Sequence, residues 1–183
     1  PSPRRLEYAV STAGRLIDGR RLTVVPFSYR SVGVGIGLAL VALCAGEMHG
    51  LAFGAREDAI KEIFKTTAAT HAQELGTPEK AQKAIEDAWK YLKRAHEHFM
   101  GLGSAALALC LFIGLSPASH GIKTSASMAV GFGAVCYPAF WTLTAFRTPM
   151  AGAHAAKESL SLMAQIGAGA GMRRAAASTR CAS

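Results

Sequence analysis

The chain alternates between long apolar blocks and one long charged block. Residues 31–55 form a run of 25 whose only charge is Glu47, and residues 99–116 form a run of 18 with no charge. A run of roughly 18–20 apolar residues is long enough to cross the hydrocarbon core of a bilayer as a helix. The charged segment 56–97 between them is therefore predicted to be an extramembrane antiparallel helical hairpin standing on a membrane bundle.

Two further blocks complete the predicted bundle. Residues 124–146 are 23 uncharged residues, and Thr148–Pro149 is predicted to turn the chain back into a fourth, more polar block. An even number of spans fits the charge distribution better than an odd number. We predict an all-α polytopic membrane protein with a single membrane domain, residues 31–172, whose four spans lie at about 31–55, 98–116, 124–146 and 150–172.

Basic residues concentrate on one predicted side of the membrane. The basic tails, residues 1–30 and 173–183, share that side with Lys123, and it carries ten basic residues against Glu7 and Asp18. Because Lys/Arg excess in short flanks marks the inner side, the termini are predicted to face the cytoplasm, matrix or stroma. Apolar residues at helical spacing make residues 1–30 either an interfacial amphipathic helix or a basic tail.

The charged segment contains a strong helix-boundary signal. Gly76 suits the position after a helix end, Thr77 suits an N-cap, and Pro78 suits the first helical position. Nothing interrupts the pattern from Pro78 to Pro117, so one helix is predicted to run from the hairpin tip into the membrane. The glycines of the first, third and fourth spans are predicted to be helix-packing faces, because small residues let helix backbones approach closely in lipid.

Composition supports the membrane assignment and excludes other classes. The chain has 183 residues, a mean hydropathy of +0.22 and only 17% charged residues, where a soluble domain carries about a quarter. The net charge of +8 comes mostly from the basic residues in the predicted membrane flanks. The sequence has no basic stripe with interleaved aromatic residues, so nucleic-acid binding is not predicted. The four cysteines lack metal-type spacing, and no catalytic residue is assigned.

Ionisable residues are predicted to converge at the hairpin-side membrane boundary. Such groups cost several kcal/mol at membrane depth unless they are paired or solvated, so they are candidate functional residues. The predicted buried polar cluster consists of Glu47, His96, Lys157 and Glu158, and it lies beside the histidines His49, His98 and His154.

Three interpretations of these residues remain open. In the first, Lys157 neutralises Glu47 or Glu158 and the histidines form hydrogen bonds in their neutral form. In the second, His49 and His154 ligate a haem b from different helices at matching depth, with His98 as an alternative, or one histidine ligates a chlorophyll magnesium. In the third, the chain is a metal-dependent oxidoreductase, which the spacing weakens because Glu-x-His and His-x-His pairs diverge on a helix.

The stretch Arg94-Ala95-His96-Glu97-His98, followed by Gly101-Leu102-Gly103, resembles a helix start in small uncharacterised bacterial inner-membrane proteins. Some of those proteins are distantly similar to the histidine-bearing helices of haem-copper oxidase subunits. The resemblance covers about residues 93–115, an eighth of the chain. It implies an energy-converting membrane and haem, although the chain has too few helices for an oxidase core and no copper-type histidine set.

The sequence therefore predicts a non-catalytic accessory subunit of a larger energy-converting membrane complex, respiratory or photosynthetic. It would lie in a mitochondrial inner, bacterial inner or thylakoid membrane. Its expected partners are membrane lipid and other membrane subunits. The alternative is a haem b-binding electron-transfer subunit.

Overall fold

Three long helices and two short ones make up the part of the chain that the structure describes. The structure, a computed structural model, describes residues 27–167. The helices are α1 Tyr29–Thr70, α2 Ala72–Leu75, α3 Pro78–Leu115, α4 His120–Ser159 and α5 Ser161–Gly167. The three long helices are each long and apolar enough to cross a membrane. The all-α prediction is therefore confirmed, and the first three predicted spans fall within α1, α3 and α4, except that Ser116 caps the end of α3.

Helix α1 continues beyond the apolar block and breaks its regular geometry where that block ends. Arg56 has non-helical dihedral angles, φ −140° and ψ 25°. Arg56 is also the first charged residue after Glu47. The predicted boundary between the first span and the charged segment thus coincides with a kink in one long helix.

The predicted helix boundary at residues 76–78 is confirmed. Gly76 has a positive φ of 85°, which glycine adopts without the steric penalty of a side chain. Thr77 caps α3 by accepting a hydrogen bond from the Lys80 backbone N–H at 3.3 Å, and Pro78 occupies the first turn. Because no proline follows Pro78 within it, the 38-residue helix α3 runs without interruption to Leu115.

The three long helices alternate in direction. α1 and α4 run parallel, since Ser127 lies against Ser31 near one end and the Phe146 ring lies 5.5 Å from that of Phe64 near the other. α3 runs against both. The close approach of α1 to α4 depends on glycine, because a Cβ on Gly35 would lie 2.4 Å from the Ser127 carbonyl oxygen.

Helix α4 does not end where the sequence predicts. Thr148 and Pro149 are buried inside the helix, so the predicted turn at these residues is wrong. The reversal falls at Gly152, whose φ of 81° and ψ of 161° belong to a region that is essentially restricted to glycine. The chain then returns along α4, because a Cβ on Gly167 would lie 2.7 Å from the Tyr137 backbone nitrogen.

The extension of α4 changes the packing of the charged segment. Its core consists of Phe64, Ala88, Tyr91 and Leu92 together with Ala145 of α4. Ala88 and Leu92 of α3 are buried against Phe64 of α1, and α4 packs on this pair of helices as a third element. A fourth span remains a prediction, because residues 168–172 and the C-terminal tail lie outside the described residues, as do residues 1–26.

Candidate functional site

Two histidines join the helices at the level where the apolar blocks meet the charged segment. His49 Nδ1 donates to the Ala45 carbonyl at 2.8 Å, and His49 Nε2 lies 3.3 Å from the Thr142 hydroxyl of α4. His96 Nδ1 donates across to the Gly46 carbonyl of α1 at 2.8 Å. Because a carbonyl oxygen only accepts hydrogen bonds, each ring carries a proton on Nδ1. His49 links α1 to α4 through Thr142, and His96 links α3 to α1.

The same level carries a cluster of aromatic and cationic side chains on α3, α4 and the returning chain. The Tyr91 and Trp141 rings lie 5.3 Å apart, and His98 lies 5.0 Å from Tyr137. The Arg94 guanidinium lies 4.7 Å from the centre of the Trp141 ring, and the Lys157 ammonium lies 4.6 Å from that of Tyr91. We call this set the interface cluster: Tyr91, Arg94, His98, Tyr137, Trp141 and Lys157.

The predicted buried polar cluster is not assembled in the described residues. Glu47 is exposed on α1, and His96 is only partly buried. The Lys157 ammonium lies on the Tyr91 ring rather than beside either glutamate. Glu158 lies 3.4 Å from His154, and both side chains are exposed, by 71% and 88%. The cluster fails because α4 extends past residue 149, which carries residues 154–158 into the region of the charged segment.

The predicted haem ligands are not brought together. His49 packs between α1, α3 and α4 beside Phe99, with ring centres 5.3 Å apart. His154 instead lines an open cavity of about 390 Å³ near the α2–α3 turn, together with Leu75 and Ala84. Both nitrogens of His49 already face protein oxygens. His98, the alternative ligand, stacks on the aromatic side chains of α4.

A buried polar network at the other end of the bundle was not predicted. The Lys123 side chain is 5% exposed and donates to the Gly114 carbonyl at 3.1 Å. Ser127 is fully buried and donates to the Ser31 carbonyl at 3.2 Å, while the Ser31 hydroxyl lies 2.7 Å from His120 Nδ1. A lysine that follows a helix end can donate a hydrogen bond to the last carbonyls of that helix, because those carbonyls lack intrahelical donors.

Within residues 27–167, no group of three or more histidine, cysteine, aspartate or glutamate side chains has the arrangement of a metal site. Among the interior polar residues, His96, Lys123 and Ser127 donate to carbonyl oxygens of neighbouring helices. Thr144 and Thr148 donate to carbonyl oxygens of their own helix, and the buried Trp141 Nε1 has no hydrogen-bond partner among the described residues. What this arrangement does chemically is to hold helices together at both ends of the apolar region.

Comparison with protein-family models, curated proteins and solved structures gives no match to this chain. The class of the protein therefore follows from its helices. Over residues 27–167 it is an all-helical protein with three helices long and apolar enough to span a membrane.

Proposed function

We propose that the chain is an integral membrane accessory subunit that packs against other subunits of a larger complex. Internal packing supports this function, since His49 and His96 at one end of the apolar region and Lys123 and Ser127 at the other bond to neighbouring helices. The large apolar side chains that remain exposed, such as Val41, Leu51 and Phe112, suit lipid or a neighbouring subunit. The link to an energy-converting membrane rests on the resemblance of residues 93–115 alone.

The observation that carries the proposal is an unused glycine pair on α1. Gly33 and Gly37 stand one turn apart, and no side chain or neighbouring helix of residues 27–167 lies within 4 Å of a Cβ built on either. Between them, Gly35 faces inward and makes the contact with α4. A Gly-x-x-x-Gly spacing lets a second helix approach closely in lipid. The chain therefore uses one glycine internally and presents two outward, as a subunit that receives a partner helix would.

The experiment is a comparison of glycine-to-leucine variants in native membranes. A chain with Gly33→Leu and Gly37→Leu is expected to leave the larger assembly and to migrate at lower mass in native gel electrophoresis after mild detergent extraction. Gly101→Leu is the matched control, because Gly101 is an exposed helical glycine with the same open surroundings. A wild-type chain that migrates alone, or a leucine pair that stays in the assembly, would refute the proposal.

The finer topology belongs to the same proposal. The charged segment would stand outside the membrane, on the side opposite the termini, and a fourth span would begin after Gly152 and pass Tyr137 on its way back. The return of the chain to Tyr137 at Gly167 supports this course. The orientation follows from the basic flanks. Protease digestion of sealed vesicles from each side tests both statements.

The geometry does not favour haem-mediated electron transfer. That function needs two histidines at one depth with free nitrogens, whereas His49 is engaged on both sides and His154 lies near the α2–α3 turn. The accessory function therefore stands as the proposal. A haem band in the reduced-minus-oxidised visible spectrum of the purified chain would overturn this preference.

A further inference from the structure

Glu47 is the only acidic or basic residue in the apolar block 31–55, and it is exposed on the outer side of α1. A helix that rises 1.5 Å per residue places it about 24 Å beyond Ser31, where the apolar block begins. The hydrocarbon core of a bilayer is about 30 Å thick, so a span that begins at Ser31 keeps Glu47 about one helical turn inside the core. Ionisable groups at such depth are normally paired.

The described part of the chain supplies no cation to Glu47. The ion pairs within residues 27–167 do not include it. The nearest part of α3 is apolar, since a Cβ on Gly46 would meet Met100 and Phe99. His49 is turned towards α4, where its Nε2 lies 3.3 Å from the Thr142 hydroxyl. The pairing group of Glu47 therefore lies outside residues 27–167.

Both ends of the described chain lie away from the outer side of α1. Phe27 packs on α3, where a Cβ on Gly114 would meet its ring. At the other end, a Cβ on Gly133 of α4 would lie 3.0 Å from the Gly167 carbonyl oxygen, whereas a Cβ on Gly131 would meet α1. Two successive positions on a helix point about 200° apart, so Gly167 lies on the side of α4 that faces away from α1.

Glu47 shares a helix face with the glycine pair that carries the proposed function. Gly33, Gly37, Cys44, Glu47 and Leu51 are all exposed, and their spacings of three, four and seven residues put them on one face. From Gly37 to Glu47 is about 15 Å along the helix. A second helix crossing at about 20°, the common angle in membrane bundles, moves sideways by only about 5 Å over that length. A long side chain bridges this distance.

The charge of Glu47 also decides which kind of helix fits. Copies of this chain inserted according to the same basic flanks share one orientation. A symmetric contact between two copies of this face would therefore bring two Glu47 carboxylates to the same depth, and like charges repel. A helix that carries a cation at this depth is complementary instead.

We propose that this face of α1 receives a transmembrane helix of a different subunit, and that a lysine or arginine of that helix pairs with Glu47. The glycines set the distance between the two helices, and the ion pair sets their register and selects the partner. This inference deepens the proposed function and rests on it.

The test measures the ratio of assembled to free chain in native gels of mildly extracted native membranes. Glu47→Gln should lower this ratio about 30-fold, the factor that corresponds to about 2 kcal/mol for the loss of one member of a desolvated charge pair. Glu47→Lys places like charges together and should abolish assembly, whereas Glu47→Asp should retain most of it. Glu97→Gln and Glu97→Lys are the matched controls, because Glu97 is an exposed glutamate of α3, and they should assemble as the wild type does.

A second measurement separates a partner subunit from the chain itself. The free energy of unfolding of the isolated chain in detergent should be the same for Glu47→Gln and the wild type. A loss of stability there would place the pairing group in residues 1–26 or 168–183 and overturn the inference. Copurification of differently tagged copies through this face, lost in the Gly33→Leu and Gly37→Leu chain, would identify a second copy as the occupant and overturn it as well.

The remaining outcomes distinguish this inference from the proposed function. If Glu47→Gln and Glu47→Lys assemble normally while the leucine pair at Gly33 and Gly37 does not, the ion pair is wrong and the accessory function stands. An equal loss in the Glu97 variants also overturns the ion pair alone. A wild-type chain that migrates alone overturns both.

Discussion

Replacing Gly35 of α1 by alanine tests the packing of the helix bundle directly. In Gly35→Ala, the new Cβ would meet the Ser127 carbonyl oxygen at 2.4 Å and its Cβ at 2.7 Å, although ordinary contacts begin near 3.4 Å. Backbone atoms cannot rotate away, so α1 and α4 must separate by about 1 Å. Overpacking costs about 1–3 kcal/mol, and this contact belongs at the upper end, about 3 kcal/mol.

The control stands two residues further along the same helix. Alanine is favoured over glycine in a helix by about 1 kcal/mol, so the net loss for Gly35→Ala is about 2 kcal/mol. In Gly37→Ala the new Cβ meets nothing in residues 27–167 within 4 Å, so the variant should gain up to about 1 kcal/mol from the same propensity. The free energies of unfolding of the two variants should therefore differ by about 3 kcal/mol.

The assay is reversible unfolding in mixed micelles that contain an increasing mole fraction of a denaturing detergent. Unfolding is followed by circular dichroism. A shift of the midpoint to lower denaturant for Gly35→Ala and a small opposite shift for Gly37→Ala is expected. Equal midpoints, or the reverse order, would refute the assignment of Gly35 to the α1–α4 contact and with it the outward face proposed for partner binding.

Three further predictions follow from other parts of the structure. Lys123→Met leaves the Gly114 carbonyl buried without its donor and should lower the free energy of unfolding by about 1–3 kcal/mol in the same assay. Gly152→Ala places a side chain in a glycine-only conformation and should cost about 1–3 kcal/mol, measured likewise. The Glu79 backbone N–H, followed by the Thr77 hydroxyl, holds the pKa of Glu79 below its usual value. Glu79→Gln should therefore lower the melting temperature slightly at neutral pH, and the difference should vanish as the pH falls below the ordinary carboxyl pKa.

These predictions have separate controls. Gly101→Ala, at an open helical position, should not be destabilised, so a similar loss there would deny Gly152 its special role. Lys93→Met removes an exposed lysine, and an equal effect at Lys123 would mean that its buried hydrogen bond contributes nothing. For Glu79, the direction of the pH dependence is decisive. A carboxyl whose pKa is lower in the folded state stabilises the fold at pH values above its unfolded-state pKa, and this stabilisation is lost as the pH falls through the folded-state pKa. A difference in melting temperature between wild type and Glu79→Gln that grows on acidification would therefore contradict the capping interaction.

Local sequence signals predict the structure correctly where interactions within a few residues determine it. Gly76, Thr77 and Pro78 fixed the start of α3, because a positive φ, a side-chain cap and a missing N–H act within a few residues. Thr148–Pro149 misled for the opposite reason. A proline usually ends a helix, but here Thr148 and Pro149 are buried in α4, and packing of the neighbouring Ala145 against Phe64 and Leu92 accompanies the continued helix.

The sequence by itself determined the helical class, the three apolar blocks and the length of α3, because hydrophobic periodicity and chain breakers are properties of short segments. Only the tertiary structure decided which groups meet. It extended α4 past residue 149 beside the charged segment, which dispersed the predicted polar cluster. It also buried Lys123, which flank charge alone assigned to the surface. Helix direction, rotation and depth set such contacts, and these depend on the packing of whole helices rather than on residue spacing.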